Sequence, residues 1–171
     1  MIWNLMFIVE VWADLIFSDF GCPPNWKPYQ DRCYRTIWPY EFKIPNVYDN
    51  YSNPNYFCRE MVNAELASVT NIGINNFIIK LAERMHPFYG ITIGLMQCSW
   101  DPENVWCNMK RENWTWMVGS ELNFTNWNSG EPNNYLKKET CAEIVLGLRP
   151  FNNLQIGYWN DIHCGKKLSC L

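Results

Sequence analysis

Glu131, Asn133 and Glu139 fall in one short segment that ends at Cys141, and Asn160 and Asp161 stand in a second that ends at Cys164. These side chains offer carboxylate and amide oxygens. Such oxygens are what a hard cation takes, since calcium gathers about six to eight of them from Asp, Glu, Asn and backbone carbonyls. A cystine between the two closing cysteines would hold the segments side by side. The first expectation is therefore a calcium site assembled from two stretches of chain. The ordinary alternative is that Glu131, Glu139 and Asp161 are solvated loop carboxylates.

The rest of the chain must supply a frame for such a site. Its 171 residues, 48% of them hydrophobic, suffice for one domain with a real core plus a short appendage. A formal net charge of −3 argues against a nucleic-acid or polybasic membrane-surface partner. The eight cysteines are even in number and lack Cys-x-x-Cys spacing, and His86 and His163 are the only histidines. Zinc and redox sites are thereby disfavoured. Four disulfides in an oxidising compartment is the simpler account, which makes the protein secreted. Cys22 with Cys33 and Cys98 with Cys107 look local, each loop closure worth roughly 3 kcal/mol; spacing leaves the other cysteines unassigned. Ten Trp are many for a domain of this size. Filling a loop-rich core is the first explanation for most of them, and lining a binding surface the second.

Taken in order, residues 1–21 contain an apolar run, Leu5 to Val9, interrupted afterwards by Glu10 and Asp14. The expectation is an atypical signal peptide, followed by a domain over 22–171 with no membrane insertion once the leader is removed. Cys22 to Cys33 reads as a stapled hairpin. Residues 35–56, rich in Pro, Asn and Tyr, read as loop. A short helix is expected around Phe57–Val62, an extended piece over Ala64–Val69, and a second helix from about Gly73 to Met85. Its apolar face would carry Ile74, Phe77, Ile78, Leu81 and Met85, and His86-Pro87 would end it. Short strands follow at Tyr89–Met96, Trp114–Met117, Cys141–Leu146, Gly157–Trp159 and Lys167–Cys170. Two helices followed by strands make an α+β domain. Three sequons, at Asn50, Asn113 and Asn123, are glycosylation candidates, with Asn50 favoured by its loop setting.

These residues also carry a resemblance. The paired cysteines 22 and 33, Cys58, Ala64-Glu65-Leu66-Ala67-Ser68-Val69 and Ile93-Gly94-Leu95 occur in the order found in C-type lectin-like domains. Trp116, Gly119-Ser120, Asn126-Trp127, Gly130-Glu131-Pro132-Asn133, Cys141, Trp159-Asn160-Asp161, Cys164 and Cys170 continue it. Over residues 22–171 the chain resembles that family, with Thr92 where a Trp usually stands. The resemblance implies the C-type lectin-like fold, with two helices, short antiparallel strands and a long calcium-binding loop region. It implies the disulfides Cys22–Cys33, Cys58–Cys170 and Cys141–Cys164, leaving Cys98 with Cys107. It further implies Ca2+ as cofactor, held by Glu131, Asn133, Glu139, Asn160 and Asp161, with Pro132 a cis proline. The sugar would bind through Glu131, Asn133, Glu139 and Asn160.

The Glu-x-Asn order resembles the mannose-type members, which take mannose, N-acetylglucosamine or fucose. The implied partners are glycans on glycoproteins or microbial surfaces, as in innate recognition, with an oligomer supplying avidity. Asn134 and Thr140 stand where a second calcium would need carboxylates, which argues against a second ion. Trp127 and Trp159 read as core residues rather than stacking platforms, and His163 as a strand residue. Two insertions depart from the family pattern: Cys98–Cys107, and Gly147–Ile156 beside the site. No Ser/His/Asp or Cys/His set remains once the cysteines pair, so the chain reads as a non-enzyme. The alternative function is a protein- or surface-binding module on the same fold that has no sugar.

Overall fold

The computed structural model describes residues 6–12, 21–37, 58–59, 63–83, 90–97, 114–147 and 154–164. Among these, eight strands form a single sheet around one main helix. The strands are β1 (Met6–Trp12), β2 (Lys27–Tyr29), β3 (Arg32–Ile37), β4 (Glu65–Leu66), β5 (Gly90–Gln97), β6 (Trp114–Trp116), β7 (Glu139–Val145) and β8 (Trp159–His163). The path runs β2-β3-β1-β5-β7-β8, with β4 paired to β1 and β6 to β5. The pairings are antiparallel except β1–β5, where Met6 lies opposite Ile91 and Phe7 opposite Thr92 in parallel.

The helix, α1 (Ile72–Glu83), begins where Asn71 caps it: its Oδ1 accepts the Ile74 N–H at 2.9 Å. An N-cap oxygen of this kind satisfies a donor that the first helical turn leaves unpaired. Ile74, Ile78 and Ala82 are buried on one face against the sheet, and Phe77 and Leu81 pack beside them. Tyr29 stacks on Phe77 with ring centroids 4.5 Å apart, which fixes the hairpin β2–β3 over the helix. The expected Cys22–Cys33 bridge closes that hairpin, with Cα atoms 5.6 Å apart. Cys58 and Arg59 are helical, and Arg59 pairs with Glu65. Cys58 is disulfide-bonded; its expected partner Cys170, the last expected strand and the Cys98–Cys107 pair all lie outside the described residues.

Four differences from the sequence reading concern the sheet. Arg35–Ile37, expected as the start of a loop, continue β3 and pair with β1. Met6–Trp12, within the expected leader, is a strand lying between β3 and β5. A short apolar run suits a central strand as well as a signal core, and periodicity cannot separate the two. β7 begins at Glu139 rather than Cys141. β8 extends through Asn160 and Asp161 rather than stopping at Trp159. Both extensions bring candidate ligand residues into the hydrogen-bonded ladder. Neither was visible in the sequence, because Glu, Asn and Asp are poor strand formers and only their cross-strand partners hold them extended.

Gly94 sits in β5 where the pairing with β7 shifts register between Ile93 and Met96. Its N–H donates to Ala67 O at 2.9 Å, and its carbonyl accepts the Met117 N–H at 2.8 Å. A Cβ there would stand 2.6 Å from Leu66 O, a backbone atom that cannot turn aside. The glycine of the Ile93-Gly94-Leu95 motif is therefore needed for the close approach of two strands. Gly94→Ala should cost about 1–3 kcal/mol of stability by overpacking. Chemical denaturation with the disulfides intact would show it, and an unchanged midpoint would contradict this reading.

Candidate functional site

The loop from Asn126 to Lys138 is organised by the start of β8. Trp159 N–H donates to Asn126 O at 2.7 Å, and Asn128 N–H donates to Trp159 O at 2.8 Å, so this segment runs beside the strand. Asn126 Nδ2 and Asn75 Nδ2 both donate to Gly157 O, at 2.9 and 3.1 Å. Asn75 Oδ1 in turn accepts the indole N–H of Trp159 at 2.8 Å. Trp159 carries no exposed surface, and Trp116, Phe124 and Trp127 meet it edge-on at 5.6 to 5.9 Å. Trp159 is thus a core residue, with its single polar atom satisfied from helix α1.

Asp161 follows two residues on and is fully buried. An isolated buried carboxylate is strongly unfavourable. Here Oδ1 accepts the Asn133 N–H at 3.0 Å and Oδ2 the Asn134 N–H at 2.7 Å, which folds the loop over the strand. The Glu131–Pro132 peptide is cis. Glu131 turns back to the same place: Asn133 donates to it from backbone N (3.1 Å) and from Nδ2 (2.8 Å), and its carboxyl group lies near that of Asp161. Burial first, then the neighbouring Asp161, push the Glu131 carboxyl from the ordinary 4.5 up to about 7.

Glu131, Asn133 and Asp161 are therefore assembled at one point. Glu139 is joined to the same loop differently, its Oε2 accepting the Tyr135 N–H at 2.8 Å while its own N–H donates to Asn134 Oδ1 at 3.1 Å. Asn160 lies on β8 with its Nδ2 donating to Glu143 Oε1 at 3.1 Å. The disulfide Cys141–Cys164 joins the ends of the two segments with Cα atoms 5.3 Å apart. Among the described residues no three Asp, Glu, His or Cys side chains converge as a metal cluster, so the donor set depends on the Asn amides. The chemistry of that set nonetheless fits a hard cation, because the Glu131 and Asp161 carboxyl groups lie close together beside amide oxygens.

Between Asn134 and Glu139 the chain makes a single 3-10 turn, Tyr135–Lys137, in which Leu136 and Lys137 have positive φ of 56° and 58°. Non-glycine residues rarely take that conformation. The turn leaves Tyr135 and Leu136 at 66% and 69% exposure beside the site. The Gly147–Ile156 insertion is tied down at its far end, where Asn128 exchanges hydrogen bonds with the Gln155 backbone at 3.0 and 3.2 Å. Residues 148–153 lie outside the described set. Of the sequons, Asn123 is exposed in the loop after β6, and Asn50 and Asn113 lie outside it. Sequence reasoning missed Asn75, Asn128 and Glu143. Only Asn75 left a trace, as a polar residue on the apolar face of a helix.

The raised Glu131 pKa has a direction that can be tested. A carboxyl whose folded pKa lies above its unfolded value stabilises the ion-free fold when protonated. That contribution is complete below about pH 4.5 and is lost as pH rises through about 7. In chelator, the melting-temperature advantage of the wild type over Glu131→Gln should therefore shrink between about pH 5 and about pH 8. A pH-independent difference would mean that the two carboxyl groups do not share this contact. A calcium ion held there would compete with the same proton, so its affinity should weaken as pH falls across that range.

Comparison with known proteins identifies the family of this fold. The family model for the lectin C-type domain matches residues 48–171, more than half of the chain. C-type lectin lectoxin-Phi1 of Philodryas olfersii is 29% identical over 157 residues, covering 89% of this chain and 83% of that protein. C-type lectin 1 of Hydrophis hardwickii is 27% identical over 150 residues, covering 86% and 76%. Among solved structures, the C-type lectin CEL-I from Cucumaria echinata superposes with a TM-score of 0.57 at 19% identity, covering 84% and 89% of the two chains. The cow CD23 C-type carbohydrate-recognition domain, solved in the presence of a GlcNAc2Man3 oligosaccharide, gives 0.56 at 25% identity, covering 85% and 88%. On sequence and on fold, this chain belongs to the C-type lectin domain family.

Proposed function

We propose that the protein is a secreted, calcium-dependent carbohydrate-binding lectin of mannose-type preference, and not an enzyme. The observation that supports it most is the meeting of Glu131 and Asp161 with Asn133 at the junction of the loop and β8. A bound calcium would bring vicinal sugar hydroxyls into its shell in place of water. Glu131 and Glu139 would accept the hydroxyl protons, since ionised carboxylates only accept, while the Asn133 and Asn160 amides would donate to the hydroxyl oxygens. Hydrogen bonds to charged groups contribute about 1.5–3 kcal/mol each. The Asn133 amide already donates one proton to Glu131, which leaves its oxygen for an ion and its second N–H for a hydroxyl. A shallow site of this kind binds single sugars weakly, and multivalent presentation on glycoproteins or microbial surfaces would supply the rest.

The Glu131–Asn133 order supports mannose, N-acetylglucosamine and fucose as the sugar class, and the mannose-containing oligosaccharide present with the similar CD23 domain is consistent with it. The exposed Tyr135 and Leu136 favour a second reading, in which a protein or other surface is bound beside the site. Among the described residues no helix is long and apolar enough to cross a membrane.

A glycan array separates the two. The folded protein should retain mannose-, N-acetylglucosamine- or fucose-terminated glycans in calcium and release them in chelator; no glycan binding in calcium would leave the surface-binding reading. The sugar class has its own check. Exchanging Glu131→Gln together with Asn133→Asp should move preference toward galactose, and an unchanged sugar profile would place recognition elsewhere.

A further inference from the structure

Glu143 lies in the middle of β7 with 1% of its surface exposed, beneath the candidate site rather than in it. It faces Asn160 directly across the β7–β8 ladder, and Asn160 is itself only 7% exposed. A carboxylate oxygen accepts and an amide NH2 donates, and the Asn160 amide presents its NH2 group to Glu143. That contact is the 3.1 Å hydrogen bond from Nδ2 to Oε1. Once one amide proton is committed, the Asn160 carbonyl oxygen is left as an acceptor and the second N–H as a donor. An Asn that must offer oxygen to an ion and a proton to a hydroxyl needs this orientation.

We infer that Glu143 is a positioning residue that sets the Asn160 amide for ion and sugar binding; the inference rests on the calcium-dependent reading of the site. It explains why a strand otherwise filled by Ala142, Ile144 and Val145 keeps a carboxylate at full burial, where an apolar side chain is the cheaper occupant. It also separates the two amides of the site. Asn133 is exposed, and its amide bonds to Glu131 within its own loop. Asn160 is held in advance. Partners behind a metal ligand that orient it typically matter by about 10- to 100-fold in affinity. Thr92 stands opposite Glu143 on β5, fully buried, and its hydroxyl has no hydrogen-bond partner. The polar row therefore continues inward from Asn160 through Glu143.

The test uses Glu143→Leu, which removes the acceptor, and Glu143→Gln, whose amide oxygen can replace it. In calcium-free protein, the Asn160 side-chain NH2 resonance, identified by its loss in Asn160→Asp, should be protected from exchange in the wild type. It should stay protected in Glu143→Gln and exchange freely in Glu143→Leu. In calcium titrations, Glu143→Leu should bind about 10- to 100-fold more weakly, with Glu143→Gln close to the wild type. Free exchange of the Asn160 amide in the wild type would overturn the inference. So would a folded Glu143→Leu that keeps wild-type calcium affinity, leaving the lectin reading intact. A wild type that takes up no calcium would defeat the lectin reading instead, while the amide protection still decides whether Glu143 holds Asn160.

Discussion

A buried carboxylate at position 161 is the constraint around which this end of the molecule is arranged. Asp161 has no exposed surface, so it must be satisfied from within the fold or the fold is lost. The backbone N–H groups of Asn133 and Asn134 meet that need. To deliver them, the loop must cross β8 at this one point. The loop's return then places Glu131 against the same carboxyl group. Burial and the neighbouring Asp161 then hold the Glu131 carboxyl well above the ordinary carboxylate range.

The strand that carries Asp161 is fixed in turn by its own first residue. Trp159 is locked by edge-on aromatic contacts and by one hydrogen bond to Asn75, so helix α1 bears on the site through a single buried amide. Asn126 and Asn128 register the incoming loop on the same strand. The tryptophans thus act as scaffold. Their indoles supply area at a place where the chain is mostly loop, and their placement explains why so aromatic a composition needs no stacking role for Trp159.

Much of this was legible in the residues. Glu131, Asn133 and Asp161, which the fold brings together, could be named from the sequence by their motif spacing. The helix over Ile72–Glu83 was legible from its apolar period, and the Cys22–Cys33 hairpin from its short loop. The buried polar residues Asn75, Asn128 and Glu143 were not. Their meaning lies in partners 27 to 84 residues away for the two Asn, and in a cross-strand neighbour for Glu143.

What the sequence by itself determined is which side chains could bind, through their types and order, and where the local elements form, through period and turn chemistry. Tertiary structure alone decided how those side chains meet. Strand pairing carried Glu139, Asn160 and Asp161 into the ladder against their own propensities. It set Met6–Trp12 between β3 and β5, where the apolar run had been expected to form a leader. It brought Glu131 onto Asp161. Register and long-range hydrogen bonds are properties of two segments at once, and neither segment encodes them alone.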